Sequence, residues 1–228
     1  MFKDKGLLIG IIVTIILVVG GVFLMSKGGS QPSNSTAPVS SDILIPKGDY
    51  ETGGIENGNY LPASASAKVT LVEFGDYECP ACGEYHPLVK QLLTDFAGKI
   101  NFAFRNYPLS QHPNAPISAQ AAEAAGLQGK FWQMHDKIYE SQNDWATSND
   151  AESIFVSYAQ SLGLDVNKFK SDISSSQVAT KVQNDTNDGN LVNITETPTF
   201  YLDGVKIINP PADYNSLKSI ISAEIAKK

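Results

Sequence analysis

The chain has 228 residues, of which 42% are hydrophobic and 18% charged, and its formal net charge is −7. This composition is typical of one folded domain with or without accessory segments, and it excludes a fully disordered chain. The acidic balance, with a sequence pI of about 4.9, argues against nucleic acid as a partner, and two cysteines are too few for a small domain held together by disulfides.

The first 27 residues are predicted to form a signal anchor. Residues 7–25 are an apolar run without a charged side chain, and as a helix this run would span roughly 28 Å, close to the thickness of a bilayer's hydrocarbon core. A cleaved signal peptide is the alternative, but the run is long for one and lacks a small-residue cleavage site. Lys3 and Lys5 precede the run and only Lys27 closely follows it. We therefore expect a single-pass protein of the cell membrane, with a cytoplasmic N-terminus and an extracytoplasmic C-terminal domain.

Residues 28–66 are rich in glycine, serine, asparagine and proline and are predicted to be a flexible, turn-rich tether. The folded domain is expected over residues 67–228. It opens with a strand over residues 69–74, a helix over residues 79–96 and a second strand over residues 100–105. This strand–helix–strand order with short connections predicts that the two strands pair in parallel.

The rest of the domain is predicted to be helical first and then to return to β-structure. Apolar spacing, capping residues and glycine stops predict helices over residues 120–125, 130–139, 151–162, from 165 onward, and 176–188. Strands over residues 199–202 and 205–208 are joined by Asp203-Gly204, a dipeptide favoured in two-residue hairpin turns. A helix over residues 213–228 completes an α/β domain with the order β-α-β, helical block, β-β-α.

Cys79 and Cys82 are the only cysteines, and they are separated by Pro80 and Ala81 at the predicted start of the first helix. Unpaired N–H groups and the positive dipole end of a first helical turn stabilise a thiolate, so Cys79 is predicted to be an exposed nucleophile with a lowered pKa. Cys82, one turn further along, is predicted to be the resolving thiol. Two alternatives stay open. A structural disulfide would add only about 2 kcal/mol for so short a loop, and a metal site with His86 would lack the fourth ligand of a structural zinc site.

Two further positions favour redox chemistry at this pair. Glu73 lies on the apolar strand that leads to Cys79, where a buried acid is costly unless it has a role such as relaying a proton to Cys82. Thr197-Pro198 directly precedes the final hairpin, and an X-Pro bond is the one common place for a cis peptide that turns the chain. These positions strengthen the redox interpretation over the metal and structural ones.

Together these residues give the chain a resemblance to the DsbA-like thiol:disulfide oxidoreductases of the thioredoxin superfamily. The motifs that carry the resemblance are Leu71-Val-Glu-Phe-Gly-Asp-Tyr-Glu-Cys-Pro-Ala-Cys82, Pro87 and Thr197-Pro-Thr-Phe200. His112-Pro-Asn-Ala and Gly129-Lys-Phe-Trp-Gln-Met-His-Asp resemble parts of that family's helical insertion, which is expected here over about residues 108–190. The resemblance implies a thioredoxin-like fold whose two halves flank the insertion.

The resemblance also implies roles for individual residues. Cys79 would be the attacking thiol and Cys82 the resolving one, while Glu73 would be the buried acid. Pro198 would be a cis-proline beside the active site, and the backbone of Thr197 would pair with a substrate peptide by strand addition. Neither a cofactor nor a metal is implied.

The expected activity is thiol–disulfide exchange in the direction of disulfide formation in exported proteins that carry thiols. By resemblance, a quinone-linked thiol oxidase of the membrane, of the DsbB or vitamin-K-epoxide-reductase type, would reoxidise the pair. The protein is expected to be a monomer. A reductase or isomerase with the same fold and a non-enzymatic Cys/His metal-binding module stay open as alternatives.

The sequence departs from the strongly oxidising members of that family around the cysteines. Those members often carry a histidine between the two cysteines, where this chain has Ala81. In addition, Asp76, Glu78 and Glu84 lie close to the pair along the chain. Negative charges there would oppose a thiolate and offset part of the effect of the helix dipole. The sequence therefore leaves the direction of electron flow open.

Overall fold

A mixed six-stranded sheet organises residues 50–228, the part of the chain that the computed structural model describes. The strands in chain order are β1 (Glu51–Glu56), β2 (Asn59–Pro62), β3 (Val69–Gly75), β4 (Ile100–Asn106), β5 (Thr199–Leu202) and β6 (Val205–Lys206). The helices are α1 (Pro80–Asp95), α2 (Ala115–Gly126), α3 (Phe131–Glu140), α4 (Gln142–Trp145), α5 (Ala151–Ser161), α6 (Val166–Ile173), α7 (Ser176–Leu191) and α8 (Tyr214–Ala226). The α/β class and the predicted order of the elements after residue 67 are therefore confirmed.

The sheet has the spatial order β2-β1-β4-β3-β5-β6, with β3 at its centre. β3 and β4 pair in parallel along their full length, as the strand–helix–strand pattern predicted. β5 lies antiparallel on the other side of β3 and forms the predicted hairpin with β6. Asp203 and Gly204 both have positive φ, 50° and 82°, which suits a two-residue hairpin turn. β6 ends at Lys206 rather than at Ile208.

The prediction of a tether as far as residue 66 is corrected by the structure, because residues 51–62 form the hairpin β1–β2. β1 pairs antiparallel with β4 and so joins the hairpin to the sheet. The turn is Asn57-Gly58, with φ values of 51° and 77°, a dipeptide that strongly favours such turns. Gly54 has φ 112°, and a Cβ there would lie 2.5 Å from the carbonyl oxygen of Leu93 on α1. Gly54 thus allows the hairpin to approach α1 closely.

The predicted signal anchor, residues 1–27, and the first part of the predicted tether, residues 28–49, lie outside the described residues. Within residues 50–228, none of the helices combines the length and the apolar character that crossing a bilayer requires.

The two faces of β3 pack into two different cores. Leu71 belongs to the larger cluster of buried side chains, which also contains Cys82, whereas Val72 and Phe74 belong to a smaller cluster. Because successive side chains of a strand point to opposite faces, Glu73 shares the face of Leu71. Glu73 is buried, with 3% of its surface exposed. The sheet therefore carries a carboxyl group to the side on which Cys82 packs.

Helices α2 to α7 form the block between β4 and β5, where the sequence predicted helices. Asp165 caps α6 as predicted, since its carboxylate accepts a hydrogen bond from the Lys168 N–H. The four-residue helix α4 was not predicted. It is fixed by Trp145, which is fully buried and whose indole N–H donates to the Ile138 carbonyl at 2.9 Å. This short helix lies beside the first turn of α1, since Nε2 of its Gln142 donates to the Cys79 carbonyl at 2.9 Å.

A buried ion pair joins the sheet to the helical block. Arg105 lies on β4 with 3% of its surface exposed. Its Nε lies 2.5 Å from Oδ1 of Asp185 on α7, and its guanidinium also pairs with Asp188. Removing one partner of such a pair leaves a charge buried without compensation, which is strongly destabilising.

We expect Arg105→Met to lower the free energy of unfolding by about 3–5 kcal/mol, because it removes the cation from the half-buried Asp185 carboxylate. Denaturant unfolding of the purified, reduced protein measures the change. Lys168→Met is the matched control, since it removes an exposed pair with Asp172 within α6 and should cost less than about 1 kcal/mol. Equal losses in the two variants would contradict the structural role assigned to Arg105.

Candidate active site

The two cysteines lie at the N-terminal end of α1, directly after β3. Cys79 is the N-cap residue, with an extended backbone (φ −68°, ψ 121°), and Pro80 is the first helical residue. The Cys79 N–H donates to the carbonyl of Asp76, and the Cys79 carbonyl accepts from the Gly83 N–H, both at 3.1 Å. No side chain caps this helix, so its first N–H groups are left to act on the sulfur of Cys79.

Cys79 is more enclosed than the sequence predicted. Only 7% of its surface is exposed, and its Sγ lies 3.4 Å from the Thr197 carbonyl oxygen. Its pKa is nonetheless lowered from 9.0 to about 5. The largest cause is a hydrogen bond with the Cys82 thiol. Burial opposes the shift, and the Thr197 side chain and the N–H groups of Cys82 and Ala81 add to it. Cys79 is therefore a thiolate at neutral pH.

Cys82 has the opposite properties. It is fully buried, and its pKa is raised well above 9.0 by burial first, then by the hydrogen bond to Cys79 and by the charges of Glu73 and Cys79. The backbone N–H of Asp76 lies 3.5 Å from its sulfur. The pair thus consists of one thiolate at the surface end of the helix and one protonated thiol beneath it.

Glu73 is a protonated acid in the same core. Burial, followed by the negative charge of Cys79, raises its pKa from 4.5 to about 8. Its charge in turn acts on Cys82 and raises the pKa of that thiol. A carboxyl group that is half ionised near pH 8 can exchange a proton with a buried sulfur at physiological pH.

The peptide bond between Thr197 and Pro198 is cis, as predicted. It directly precedes β5, which pairs with β3, and it lies where the Thr197 carbonyl contacts Cys79. The structure therefore brings all five predicted site residues to one place. These are Glu73, Cys79, Cys82, Thr197 and Pro198.

One of the acids that were expected to oppose the thiolate is paired in the structure. Asp76 has a fully buried side chain, and its Oδ2 lies 2.6 Å from Nδ1 of His112. The carboxylate also accepts hydrogen bonds from the N–H groups of Glu78 (2.8 Å) and Leu109 (2.9 Å). Sequence reasoning assigned His112 no role, because 36 positions separate it from Asp76 and nothing local connects the two.

The helical block contributes two further contacts that the sequence did not reveal. Nε2 of Gln142, on α4, donates to the carbonyls of Tyr77 (2.7 Å) and Cys79 (2.9 Å). The N–H of Asn114 donates to Oε2 of Glu78 at 2.6 Å. The loop that carries the cysteines is therefore held by the insertion as well as by α1.

The alternative metal site of Cys79, Cys82 and His86 is not formed. Among the described residues, the donor atoms of His86 group with those of His135 and Asp136, within 4.8 Å of one another, and neither cysteine belongs to that group. The Asp136 carboxylate already pairs with the Lys90 ammonium at 2.8 Å. It also accepts a hydrogen bond from Tyr60 at 2.7 Å. Because the Lys90 ammonium already neutralises the Asp136 carboxylate, this cluster is better described as an ion pair beside two histidines than as a metal site.

The chain matches a known protein family and is similar to several solved structures. The family model Thioredoxin_4, described as "Thioredoxin", matches residues 63–223, which is well over half of the chain. Among solved structures, oxidised BdbD from Bacillus subtilis has a TM-score of 0.62 and 28% sequence identity, and the match covers 72% of this chain and 90% of BdbD. The thiol-disulfide exchange protein alpha-DsbA2 from Wolbachia pipientis has a TM-score of 0.60 at 19% identity, and that match covers 78% of this chain and 85% of alpha-DsbA2. The predicted thioredoxin-like fold is thereby confirmed.

A curated relative carries a different name. The Na(+)/H(+) antiporter NhaA 1 of Salinispora arenicola is 40% identical over 147 residues, which is 64% of this chain and 22% of the antiporter. The chain thus spans less than a quarter of that relative's length, and the likeness concerns only the matched part.

We expect Glu73→Gln to raise the free energy of unfolding of the reduced protein at about pH 9 by roughly 2–5 kcal/mol, and to change it little at about pH 4. Below pH 4.5 the carboxyl is protonated in the folded and the unfolded state. As the pH rises to about 8 the unfolded state ionises first, so the folded state loses stability. Denaturant unfolding at several pH values measures this.

Glu56→Gln, at the exposed end of β1, is the matched control and should leave the pH dependence unchanged. The same gain for Glu73→Gln at both ends of the pH range would show that Glu73 does not titrate as described.

Proposed function

The chain belongs to the thioredoxin family as a DsbA-like member, and from this premise we propose that it is a thiol:disulfide oxidoreductase that forms disulfides in exported proteins. The observation that carries the proposal is the difference between the two sulfurs at the start of α1. Cys79 has a pKa lowered to about 5, whereas Cys82 has a raised one and is fully buried. A structural disulfide needs no such difference, but an exchange reaction does.

The proposed reaction starts from the oxidised pair. A substrate thiolate attacks Sγ of Cys79, the bond to Cys82 breaks, and Cys82 leaves as a thiolate that takes a proton. Glu73 is the proposed proton donor, because its buried carboxyl titrates near pH 8 and its charge acts on Cys82. A second substrate thiolate then attacks the substrate sulfur of the mixed disulfide and releases Cys79 as a thiolate. The substrate has lost two electrons and gained a disulfide, and the pair has been reduced.

The direction of electron flow follows from the stability of the reduced pair. Stabilising the Cys79 thiolate stabilises the reduced form and therefore raises the reduction potential. The hydrogen bonds to that sulfur and the pairing of Asp76 with His112 both act in this direction. They support an oxidant over the reductase or isomerase that the sequence left open.

Substrate binding is proposed at the Thr197 backbone. Thr197 and Pro198 precede β5, and the Thr197 carbonyl lies within 3.4 Å of the attacking sulfur. An extended peptide that pairs with this backbone would bring its cysteine to Cys79. The recognition is through main-chain groups, which suits substrates of many different sequences.

The setting of the reaction is proposed from the sequence outside the described residues. The predicted anchor over residues 1–27 would hold the domain on the outer side of the cell membrane, where disulfides persist. A quinone-linked thiol oxidase in the same membrane would accept the electrons from Cys79 and Cys82. Antiport is not proposed, because this chain matches only 22% of the antiporter relative.

We expect the full-length protein to oxidise a reduced, unfolded test protein, and Cys79→Ser to abolish this activity. Cys82→Ser should instead form a stable mixed disulfide with the oxidised test protein: the Cys79 thiolate attacks a disulfide of that protein, one of its sulfurs leaves as a thiolate, and the buried thiol that would displace the captured protein is gone. Free-thiol counting and non-reducing electrophoresis measure the two results. Glutathione equilibrium gives the potential, which should lie nearer to about −120 mV than to about −270 mV.

The Cys79→Ser and Cys82→Ser variants are isosteric controls for each other. Unchanged oxidation by Cys79→Ser would overturn the proposed function, and a potential near that of thioredoxin, at about −270 mV, would reverse its direction.

In intact cells we expect Cys79 and Cys82 to be mostly oxidised at rest, and Cys79 to react with a membrane-impermeant alkylating reagent after mild reduction. The proposed compartment and partner both require this. Mass shifts of the protein in gels report the fraction labelled. Labelling that requires lysis of the cells would place the domain on the cytoplasmic side and contradict the proposal.

A further inference from the structure

We propose that His112 is a positioning residue for the Cys79 thiolate: its imidazolium, held by Asp76, is the cation that offsets the acids of the active-site loop. The inference rests on the proposed function and deepens it, because it names a residue outside the cysteine motif that raises the reduction potential of the pair. His112 comes from the helical insertion, and in this chain Ala81 stands between the cysteines, where the strongly oxidising relatives often carry a histidine.

The geometry connects His112 to both cysteines through one residue. Nδ1 of His112 lies 2.6 Å from Oδ2 of Asp76, whose side chain is fully buried. The backbone of the same Asp76 accepts the Cys79 N–H at 3.1 Å and brings its own N–H to 3.5 Å from the Cys82 sulfur. The imidazole is therefore fixed to the loop that sets the position of the two sulfurs.

Asp76 cannot move away from this arrangement without losing other bonds. Its carboxylate also accepts the N–H groups of Glu78 at 2.8 Å and Leu109 at 2.9 Å. Leu109 and His112 belong to one turn, in which the His112 N–H donates to the Leu109 carbonyl at 3.0 Å. One carboxylate thus ties the catalytic loop to the turn that carries the histidine.

The charges around the imidazole favour its protonated form. Partial burial opposes the charge, but the hydrogen bond and charge of Asp76, and the charges of Cys79 and Glu78, raise the pKa of His112 above 6.5. These three acidic groups all act on the ring. Because Nδ1 donates to Asp76, the titrating proton binds at Nε2. The side chain is 19% exposed, so water reaches the ring and can exchange this proton.

Removing the imidazolium would leave two carboxylates, those of Asp76 and Glu78, beside the thiolate. The thiolate would then be less stable, the reduced pair less favoured and the protein a weaker oxidant. The coupling is reciprocal. The imidazole must therefore bind its proton more tightly when Cys79 is a thiolate than when Cys79 is in a disulfide.

The test compares the full-length protein with His112→Asn, whose amide can still donate to Asp76, and His112→Lys, which keeps a positive charge. At about pH 6 we expect the asparagine variant to shift the glutathione equilibrium threefold to tenfold toward the oxidised protein, which corresponds to about 15–30 mV. At about pH 9, further above the range in which an imidazole ordinarily titrates, the difference between the two proteins should be smaller. The lysine variant should restore the potential at about pH 6, and at about pH 9, where lysine stays charged, its potential should lie at or above that of the unaltered protein. Lys168→Asn, on α6, controls for loss of a distant positive charge.

A second measurement needs no variant. Nuclear magnetic resonance of the unaltered protein gives the imidazole pKa of His112 in the reduced and in the oxidised state, and we expect the higher value in the reduced state. Equal values, or an asparagine variant that matches the unaltered protein at about pH 6, would overturn the inference. Neither result would touch the proposed function, which fails separately if Cys79→Ser keeps its activity.

Discussion

The chemistry of this protein depends on one arrangement, in which the N-terminus of α1 lies against the sulfur of Cys79 and covers that of Cys82. A single helical turn thereby creates two environments. The first sulfur receives hydrogen bonds and is stabilised as an anion, while the second is enclosed by apolar neighbours and keeps its proton. Glu73 extends the second environment, because the alternation of β3 carries it to the same face. The difference between the two thiols is thus a property of the fold, and no cofactor is needed to create it.

The helical insertion is part of the site as well as a cover for the sheet. Its first residues supply His112 to Asp76, and its short helix α4 supplies Gln142 to the carbonyls of the catalytic loop. At its far end, α7 is held to the sheet by Arg105. A change in the packing of the insertion would therefore alter the electrostatics of the cysteines even without contact to either sulfur.

The sequence predicted the fold well wherever the signal was local. The strand that carries Glu73, the helix that begins at Pro80 and the turn at Asp203-Gly204 each have a short pattern with one physical meaning, and the structure confirms them. The hairpin at Asn57-Gly58 has an equally good local signal, but the glycine-rich composition around it favours a tether. Composition averages over residues, whereas a hairpin depends on two of them.

Long-range contacts at the site had no comparable signal. The enclosure of Cys79 depends on Thr197, more than a hundred positions away, so the sequence could predict a thiol at a helix start but not how much of it water reaches. Asp76 was expected to repel the thiolate, because nothing local in the sequence indicates that His112, 36 positions away, pairs with it. Spacing along the chain predicts which groups share a turn or a face. It does not predict which acidic and basic side chains form ion pairs when distant turns come together in the fold.

The short strands at the edges of the sheet limit the pairing of this protein with unfolded polypeptides. Its outermost strands, β2 and β6, have four and two residues, and strands so short offer few open backbone groups to a passing chain. In the proposed function the protein meets unfolded polypeptides whose segments can still form strands. A long exposed edge strand would pair with them unselectively and favour aggregation. Short edge strands would keep such encounters brief, and in the proposed function the substrate is held at the cis-proline loop instead.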